Sequence, residues 1–257
     1  MLVLLSCAKT MSAVSKVKVP LTTIPRFQKE AAEIALQMSQ FSVDELERLL
    51  RVNAKIAVEN YKRYQAFHAE TTPELPALLA YTGIVFKRLN PKDFSAEDFG
   101  YAQEHLRLTS FCYGLLRPLD VIRAYRLEGD VVLPELGNQT LFSYWRSRLT
   151  DTFIEDIRSA GGILCNLASD EMKSLFDWKR VESEVRVVTP EFHVWKNEKL
   201  ATIVVYTKMS RGEMTRFILK NKIGNPEELK GFSWEGFEFD ESLSDERKLV
   251  FINGMGE

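Results

Sequence analysis

Strand-like apolar runs lie toward both ends of this chain and helical hydrophobic periods fill its middle, a pattern that strongly constrains the fold. The run Leu2–Leu5 is short and wholly apolar, which predicts a buried first strand. Helical periodicity extends from Arg26 to about Phe67, with breaks near Phe41 and Asn53. Further helices are predicted at Ser95–Leu106, Thr140–Arg158 and Arg211–Asn221, and further strands at Ile163–Cys165, Val185–Val188, Leu200–Tyr206, Phe232–Phe239 and Lys248–Ile252. This order favours a mixed α/β (α+β) fold, in which helices wrap a mixed central β-sheet.

Local signals mark several of these boundaries. Ser42 with Glu45, and Ser95 with Asp98, have the three-residue spacing of a helix-capping pair. Gly161-Gly162 is expected to end the helix that starts at Thr140. The polar run Lys196–Lys199 predicts a turn between two strands.

A single compact domain is predicted over residues 1–257, because neither an internal repeat nor a Pro/Gly/Ser-rich linker divides the chain. Hydrophobic residues make up 45% and charged residues 27% of the chain, which excludes disordered and fibrous proteins. The net charge of −2 argues against a protein that coats nucleic acid with its whole surface. A local basic cleft is still compatible with that sum.

The sequence has no recognisable membrane or export signal and few cysteines, which predicts a cytoplasmic protein. No apolar run reaches the roughly 18–20 residues that a membrane span needs. Five apolar residues without Lys or Arg precede Ser6, too few for a signal peptide, although Leu4–Cys7 superficially resembles a lipoprotein cleavage box. Cys7, Cys112 and Cys165 are far apart in the sequence, as expected in a reducing compartment.

Common cofactor and metal signatures are missing from the sequence. It has no glycine-rich dinucleotide or P-loop motif. His68, His105 and His193 are scattered, and none has metal-ligand spacing with a cysteine or another histidine. We therefore expect neither a cofactor nor a metal site, and no stoichiometric iron.

Polar side chains directly follow two predicted strands. Ser6–Thr10 follows the first strand and contains Lys9, and Asn166–Glu171 follows Ile163–Cys165 and contains Asp170. Functional groups collect at the carboxyl ends of strands in sheets covered by helices. Two interpretations stay open: Lys9 is either a positioned functional group or a solvated loop lysine, and Asp170 either faces a cleft or lies in a helix first turn capped by Ser169.

Two further stretches are rich in basic residues. Ala102–Gly129 contains Arg107, Arg117, Arg123 and Arg126, which either bind phosphate or form internal ion pairs such as Arg117 with Asp120 and Arg126 with Glu128. Tyr206–Gly212 is predicted to close a strand and open a helix, where amides and bases bind phosphate. The segment 203–222 has five basic residues and one acidic residue, whereas 225–246 has eight acidic and one basic. A solvated helix face is the alternative for the basic segment.

These stretches together resemble the YaaA-type peroxide stress response family over nearly the whole chain. The opening motif ISPAKT is present as LSCAKT at Leu5–Thr10, and the long signature QxHLRxLSxLYGxLRPLDxxxxYRLEMG corresponds to Gln103–Gly129. NLASDEY corresponds to Asn166–Met172, KxxRGxMxRFI to Lys208–Ile218, and the closing GF/Y-x-F to Gly236–Phe239. Departures are Cys7 in place of proline, and Thr82 and Ile84 in place of a lysine and an aspartate.

The resemblance implies a cytoplasmic bacterial protein that limits oxidative damage to DNA, with a basic cleft and a helix-hairpin-helix element that binds duplex DNA. It implies no established cofactor or enzymatic activity. The best candidate for that element is 42–67, with Val43–Val52 and Ile56–Phe67 as helices and Asn53–Lys55 as the hairpin. Arg48, Arg51, Lys55, Lys62 and Arg63 supply its charge, but the glycine usual in such hairpins is missing.

Two functions follow. The first is sequence-independent binding of double-stranded DNA by a monomer that has neither a membrane contact nor a stable protein partner. Its candidate phosphate ligands are Lys9, Arg48, Arg51, Lys55, Arg107, Arg117, Arg126, Lys208, Arg211 and Arg216. The second is an enzyme acting on a phosphate- or nucleotide-bearing substrate in a pocket of Lys9, Arg126, Asp170, Lys208 and Arg211. There Lys9 is the candidate nucleophile or phosphate ligand and Asp170 the candidate base.

Overall fold

The central feature of the fold is a mixed β-sheet built around the first strand of the chain. The structure is a computed structural model that describes residues 1–196 and 199–254. The strands are β1 (Leu2–Leu5), β2 (Glu74–Pro76), β3 (Leu106–Ser110), β4 (Gly114–Leu116), β5 (Val121–Arg123), β6 (Val132–Leu133), β7 (Gln139–Thr140), β8 (Ile163–Asn166), β9 (Arg186–Lys196), β10 (Lys199–Ala201), β11 (Phe237–Asp240) and β12 (Lys248–Asn253).

The main sheet has the order β11-β12-β9-β8-β1-β3-β4, and β10 pairs with β9. The inner strands β12, β9, β8, β1 and β3 run parallel to one another. The outer strands β11 and β4 are antiparallel to theirs. Strands β2 and β5 form one small sheet, and β6 and β7 another.

Helices cover this sheet. They are α1 (Gln28–Met38), α2 (Val43–Leu50), α3 (Ala54–Ala66), α4 (Ala77–Ala80), α5 (Ile84–Leu89), α6 (Ala96–His105), α7 (Leu141–Ser159), α8 (Asp170–Lys173), α9 (Trp178–Glu184) and α10 (Val204–Asn221). Short 3-10 turns lie at Pro91–Asp93, Pro134–Leu136 and Pro226–Gly231. Every residue of β1 is buried, as expected for a parallel strand with helices on both faces. The sequence prediction of a mixed sheet wrapped by helices is confirmed.

Local capping chemistry sets the helix starts that the sequence predicted. The Glu45 carboxylate accepts from the Ser42 backbone N–H at 2.8 Å, and the Asp98 carboxylate accepts from the Ser95 backbone N–H at 2.8 Å. Both are reciprocal capping boxes. Helix α7 begins at Leu141 and ends at Ser159, before Gly161 and Gly162, which both have a positive φ.

Two strand predictions are wrong. Leu200–Tyr206 divides into the short strand β10 and the start of α10 at Val204, so the β-branched residues Ile203–Val205 misled the prediction. Intrinsic propensity is a weak determinant, and here α10 is held by its packing on α5. In Phe232–Phe239 only Phe237 onward is strand, because the chain turns between Trp234 and Phe237 with Gly236 at a φ of 81°. In the predicted turn Lys196–Lys199, Asn197 and Glu198 lie outside the described residues.

Candidate functional site

Three neighbouring parallel strands end at the same edge of the sheet. Strand β1 pairs with β3 on one side and with β8 on the other. The chain therefore leaves β1 toward one neighbour and later returns to its opposite side, which creates a crevice at the carboxyl ends of the strands. The segments Ser6–Thr10 and Leu167–Glu171 follow β1 and β8 at this edge, as the sequence predicted.

A cavity of about 310 Å³ occupies this crevice. We call it the strand-end pocket. Its cationic lining residues are Lys9, Arg126, Lys208 and Arg211, and the start of α5 at Gly83–Phe86 forms another wall. Four of the residues in the proposed substrate pocket are thereby brought together from distant parts of the sequence. The volume lies at the lower end of the roughly 300–1,000 Å³ of small-molecule sites, so the pocket does not admit a DNA duplex.

The two pocket arginines carry unused hydrogen-bond donors. The Nε atoms of Arg126 and Arg211 are buried, and neither has a hydrogen-bond partner within residues 1–196 and 199–254. The Arg126 Nη2 atom is 3.8 Å from the Glu128 carboxylate. Burial lowers the pKa of Arg211. A buried donor without a partner is costly, and because Arg126 and Arg211 both line the pocket, their positive charge suits it to an anion.

Lys9 is held by an acidic residue behind the pocket. Its Nζ donates to the Glu128 Oε2 at 2.7 Å, and the Glu128 side chain is only 5% exposed. The Lys9 side chain itself is 60% exposed. Glu128 thus orients both Lys9 and Arg126 toward the same space. The Arg126–Glu128 ion pair that the sequence suggested as an alternative therefore forms, and Arg126 also lines the pocket.

Asp170 does not line the strand-end pocket. Its side chain is 91% exposed and pairs with Lys173 at 2.8 Å, and this hydrogen bond holds the pKa of Asp170 below its usual value. The neighbouring Glu171 is the acidic residue in the lining. Ser169 precedes α8 without capping it through its side chain, and its backbone N–H instead donates to the Ser6 Oγ at 2.9 Å. The Asp170 carboxylate interacts electrostatically with Arg211, so Asp170 acts on a pocket residue without itself lining the pocket.

Helix α10 places basic side chains at the pocket, but it begins earlier in the sequence than predicted. Because α10 begins at Val204, Lys208 lies in its second turn and not at its start. The helix N-terminal amides near Lys208 are therefore already used within α10, and the predicted phosphate site at a helix start is wrong. Lys208 and Arg211 are three residues apart, which places both on the face that meets the pocket.

Other candidate arginines are engaged in internal ion pairs. Arg107 pairs with Asp156 at 2.7 Å, Arg117 with Asp120 at 2.9 Å, and Arg216 with Asp93 at 2.6 Å. The pairs of Arg107 and Arg216 join segments that are distant in the sequence, whereas the Arg117–Asp120 pair is local, and the pairs of Arg107 and Arg117 match the internal-network alternative.

Helices α2 and α3 form a tight hairpin beside the pocket. Arg51 ends α2 with a left-handed φ of 51°, so the turn is made without glycine. The Arg51 guanidinium pairs with Asp130 at 2.7 Å, and the Asn53 side chain accepts from the Ile56 backbone N–H at 3.0 Å. Arg48 and Lys55 are exposed on this hairpin.

Sequence reasoning missed a second basic surface, which we call the lysine groove. It has a volume of about 830 Å³ and lies between the segment Ser12–Lys18 and the region of α4, α5 and Pro91–Phe94. Its cationic lining residues are Lys16, Lys18, Lys87 and Lys92, and none of its described lining residues is acidic. In the described part of the chain, the lysines that form ion pairs with acidic residues are not these four but Lys9, Lys173, Lys220, Lys222 and Lys230. In the sequence, Lys16 and Lys18 lie about seventy residues from Lys87 and Lys92, and no local pattern indicates that the two pairs meet.

Cys7 is expected to resist oxidation and alkylation in the folded protein. Burial raises the pKa of the Cys7 thiol to about 12, so the thiol is protonated at neutral pH and is a poor nucleophile. Cys7 is therefore expected to act as a small packed side chain and not as a peroxide-sensitive thiolate. Intact mass measured after treatment with iodoacetamide or hydrogen peroxide at pH 8 should show no adduct at Cys7 in the native state. Alkylation of Cys7 in denaturant is the control, and rapid modification without denaturant would contradict the prediction.

Residues 1–196 and 199–254 contain no cluster of three or more His, Cys, Asp or Glu side chains arranged to hold a metal ion. Nor does any helix there combine the length and the apolar character needed to cross a membrane.

Comparison with known proteins identifies the family. A family model described as "Peroxide stress protein YaaA" matches residues 1–243. A UPF0246 protein of Bacteroides thetaiotaomicron is 99% identical over the full length of both chains. UPF0246 proteins of Phocaeicola vulgatus and Crocosphaera subtropica are 62% and 38% identical, each over 98% of this chain and 98% and 100% of their own lengths. The chain therefore belongs to the peroxide stress protein YaaA family, whose members are also named UPF0246 proteins.

Proposed function

We propose that this member of a peroxide stress family binds duplex DNA without reading its base sequence. The observation that carries the proposal is the lysine groove, whose four lysines have no acidic side chain among their described neighbours in the lining. Unpaired lysines are compact point charges suited to phosphate. Contacts of this kind position a duplex and supply affinity without base readout.

The α2–α3 hairpin offers a second set of phosphate contacts. Arg48 and Lys55 are exposed on it, and Arg51 is joined to Asp130, two residues from the Glu128 that orients Lys9. The backbone N–H groups at the start of α3 that the Asn53 side chain does not occupy add donors of the type that bind phosphate. A duplex held by the lysine groove and the hairpin would pass over the strand-end pocket without entering it.

Fluorescence anisotropy of a labelled duplex of about 20 base pairs tests this proposal across a salt series. Each phosphate neutralised by a lysine contributes about 0.9 to the slope of log K against log salt concentration. The double variant Lys87→Ala/Lys92→Ala is therefore expected to weaken binding at low salt and to reduce that slope by up to about 1.8.

The matched control is Lys29→Ala/Lys179→Ala. Both lysines are exposed, and they lie on α1 and α9, outside the pocket and the groove. This variant removes the same net charge and should leave the salt slope unchanged. Equal losses in the two double variants would mean that binding is a diffuse charge effect, and no binding by the wild type at low salt would refute the proposal.

An enzyme acting on a phosphate-bearing substrate is the second candidate. It is favoured by the convergence of Lys9, Arg126, Lys208 and Arg211 in a pocket of small-molecule size. Lys9 is the available nucleophile or phosphate ligand, and the Glu128 carboxylate, 2.7 Å from its Nζ, is the base beside it, whereas Asp170 faces outward to Lys173. Chromatography of nucleotides after incubation with wild type and Lys9→Ala tests it, because turnover that depends on Lys9 is required.

A further inference from the structure

The strand-end pocket and the lysine groove adjoin each other. Phe86 lines both of them. The loop that lines the pocket is tied to the groove by the Thr82 backbone N–H, which donates to the Thr10 carbonyl at 2.9 Å. A ligand lying along the groove is therefore next to the pocket, because Phe86 contributes to the walls of both.

The lining of the pocket combines two kinds of side chain. Arg126 and Arg211 bring positive charge, and the buried Nε atom of each lacks a hydrogen-bond partner among the described residues. Phe86, Phe111 and Tyr125 are among the apolar and aromatic lining residues. Inorganic phosphate would use only the arginines, whereas a phosphate joined to a flat ring would use both kinds of side chain.

We propose that the strand-end pocket binds one unpaired nucleotide of a bound DNA strand. The phosphate oxygens accept hydrogen bonds from the guanidinium groups of Arg126 and Arg211, and the base packs on the apolar wall. The inference rests on the proposed DNA binding. It gives a role to a pocket that is too small to admit the duplex itself. The pocket holds about 310 Å³, which suits a single nucleotide and excludes a base pair within its helix.

Binding of this kind predicts a preference for DNA in which one nucleotide is already free of its partner. Binding a paired nucleotide in the pocket would first require its base to be unpaired and unstacked, whereas a bulged nucleotide has no partner to lose. Charge-assisted hydrogen bonds from the two arginines therefore support a preference of at least about tenfold for the bulged duplex.

The test compares two duplexes of equal length, one fully paired and one with a single bulged thymidine, by anisotropy with wild type, Arg211→Gln and Arg126→Gln. The wild type should bind the bulged duplex about tenfold more tightly, and each variant should lose most of that ratio. Arg211→Lys should restore it only in part, because lysine keeps the charge but not the fork of donors. Arg158→Gln, on the exposed side of α7, is the control and should keep the full ratio.

The outcomes separate this inference from the proposed function. Failure to bind either duplex at low salt refutes DNA binding. Equal binding of both duplexes by folded wild type, with no change in the arginine variants, leaves DNA binding intact and overturns the pocket assignment. Calorimetric titration with free thymidine 5′-monophosphate tests whether the pocket binds a free nucleotide instead of a nucleotide within DNA. Saturable binding that Arg211→Gln abolishes, without any preference for the bulge, would assign the pocket to a free nucleotide and overturn its role in DNA binding.

Discussion

Replacing Leu4 with alanine is expected to lower the free energy of unfolding by about 2–5 kcal/mol. Leu4 lies in β1 and is fully buried, with 0% of its surface exposed. Its backbone pairs with β3 and β8, so both neighbours hold the strand in place and limit the collapse that could fill the cavity. The loss combines the removed apolar contacts with the cost of that cavity. Urea unfolding followed by circular dichroism measures it.

The same substitution at Leu36 is the matched control. Leu36 lies inside α1 but is 52% exposed. Alanine is at least as good a helix former as leucine, and surface substitutions usually stay within about 0.5 kcal/mol. A loss at Leu4→Ala no larger than that at Leu36→Ala would contradict the central position of β1. Because the pocket loop Ser6–Thr10 begins at the end of β1, Leu4→Ala is also expected to weaken ligand binding in the pocket.

Gly212→Ala is expected to destabilise the protein even though alanine is the better helix former. Gly212 lies inside α10, and a Cβ there would overlap the Val85 carbonyl oxygen and sit 2.8 Å from the Arg88 Cβ. These atoms belong to the body of α5, so no side-chain rotation relieves the clash and the two helices must separate. Overpacking costs about 1–3 kcal/mol, which exceeds the gain in helix propensity of about 0.8–1 kcal/mol.

Thermal unfolding provides the measurement, with a shift of roughly 2–4 °C for each kcal/mol in a chain of this size. Gly100→Ala in α6 is the control, because a Cβ at that position meets no atom within 4 Å. There the propensity gain acts alone and the melting temperature should rise or stay the same. A rise in both variants would contradict the close contact of α5 and α10. Since Val85 and Arg211 both line the pocket, separation of these helices should also reduce binding there.

Features that depend on neighbours within a few residues could be predicted from the sequence. The buried strand Leu2–Leu5 and the capping boxes at Ser42 and Ser95 are confirmed, because an apolar run and a cap interact locally. The position of polar residues of one pocket lining directly after β1 and β8 was also predictable. Carboxyl ends of neighbouring parallel strands meet at one edge whatever the details of packing.

Features that depend on distant partners could not be predicted in the same way. The start of α10 at Val204 follows from its packing on α5, which overrides the strand preference of Ile203–Val205. The sequence could not distinguish an arginine that binds an external anion from one that binds an internal acid. Arg117 and Arg126 belong to the same motif, yet Arg117 is committed to Asp120, whereas Arg126 lines the pocket and its buried Nε has no partner among the described residues.

The sequence by itself determined the family, the central strand, most of the helices and the set of basic residues around the strand ends. Tertiary structure decided which of those residues converge: Lys9, Arg126, Lys208 and Arg211 meet, and Asp170 turns outward to Lys173. It also assembled the lysine groove from two segments that carry no shared sequence signal. The physical reason is that strands and caps arise from interactions along the chain, whereas a binding site depends on where the packed elements bring side chains together in space.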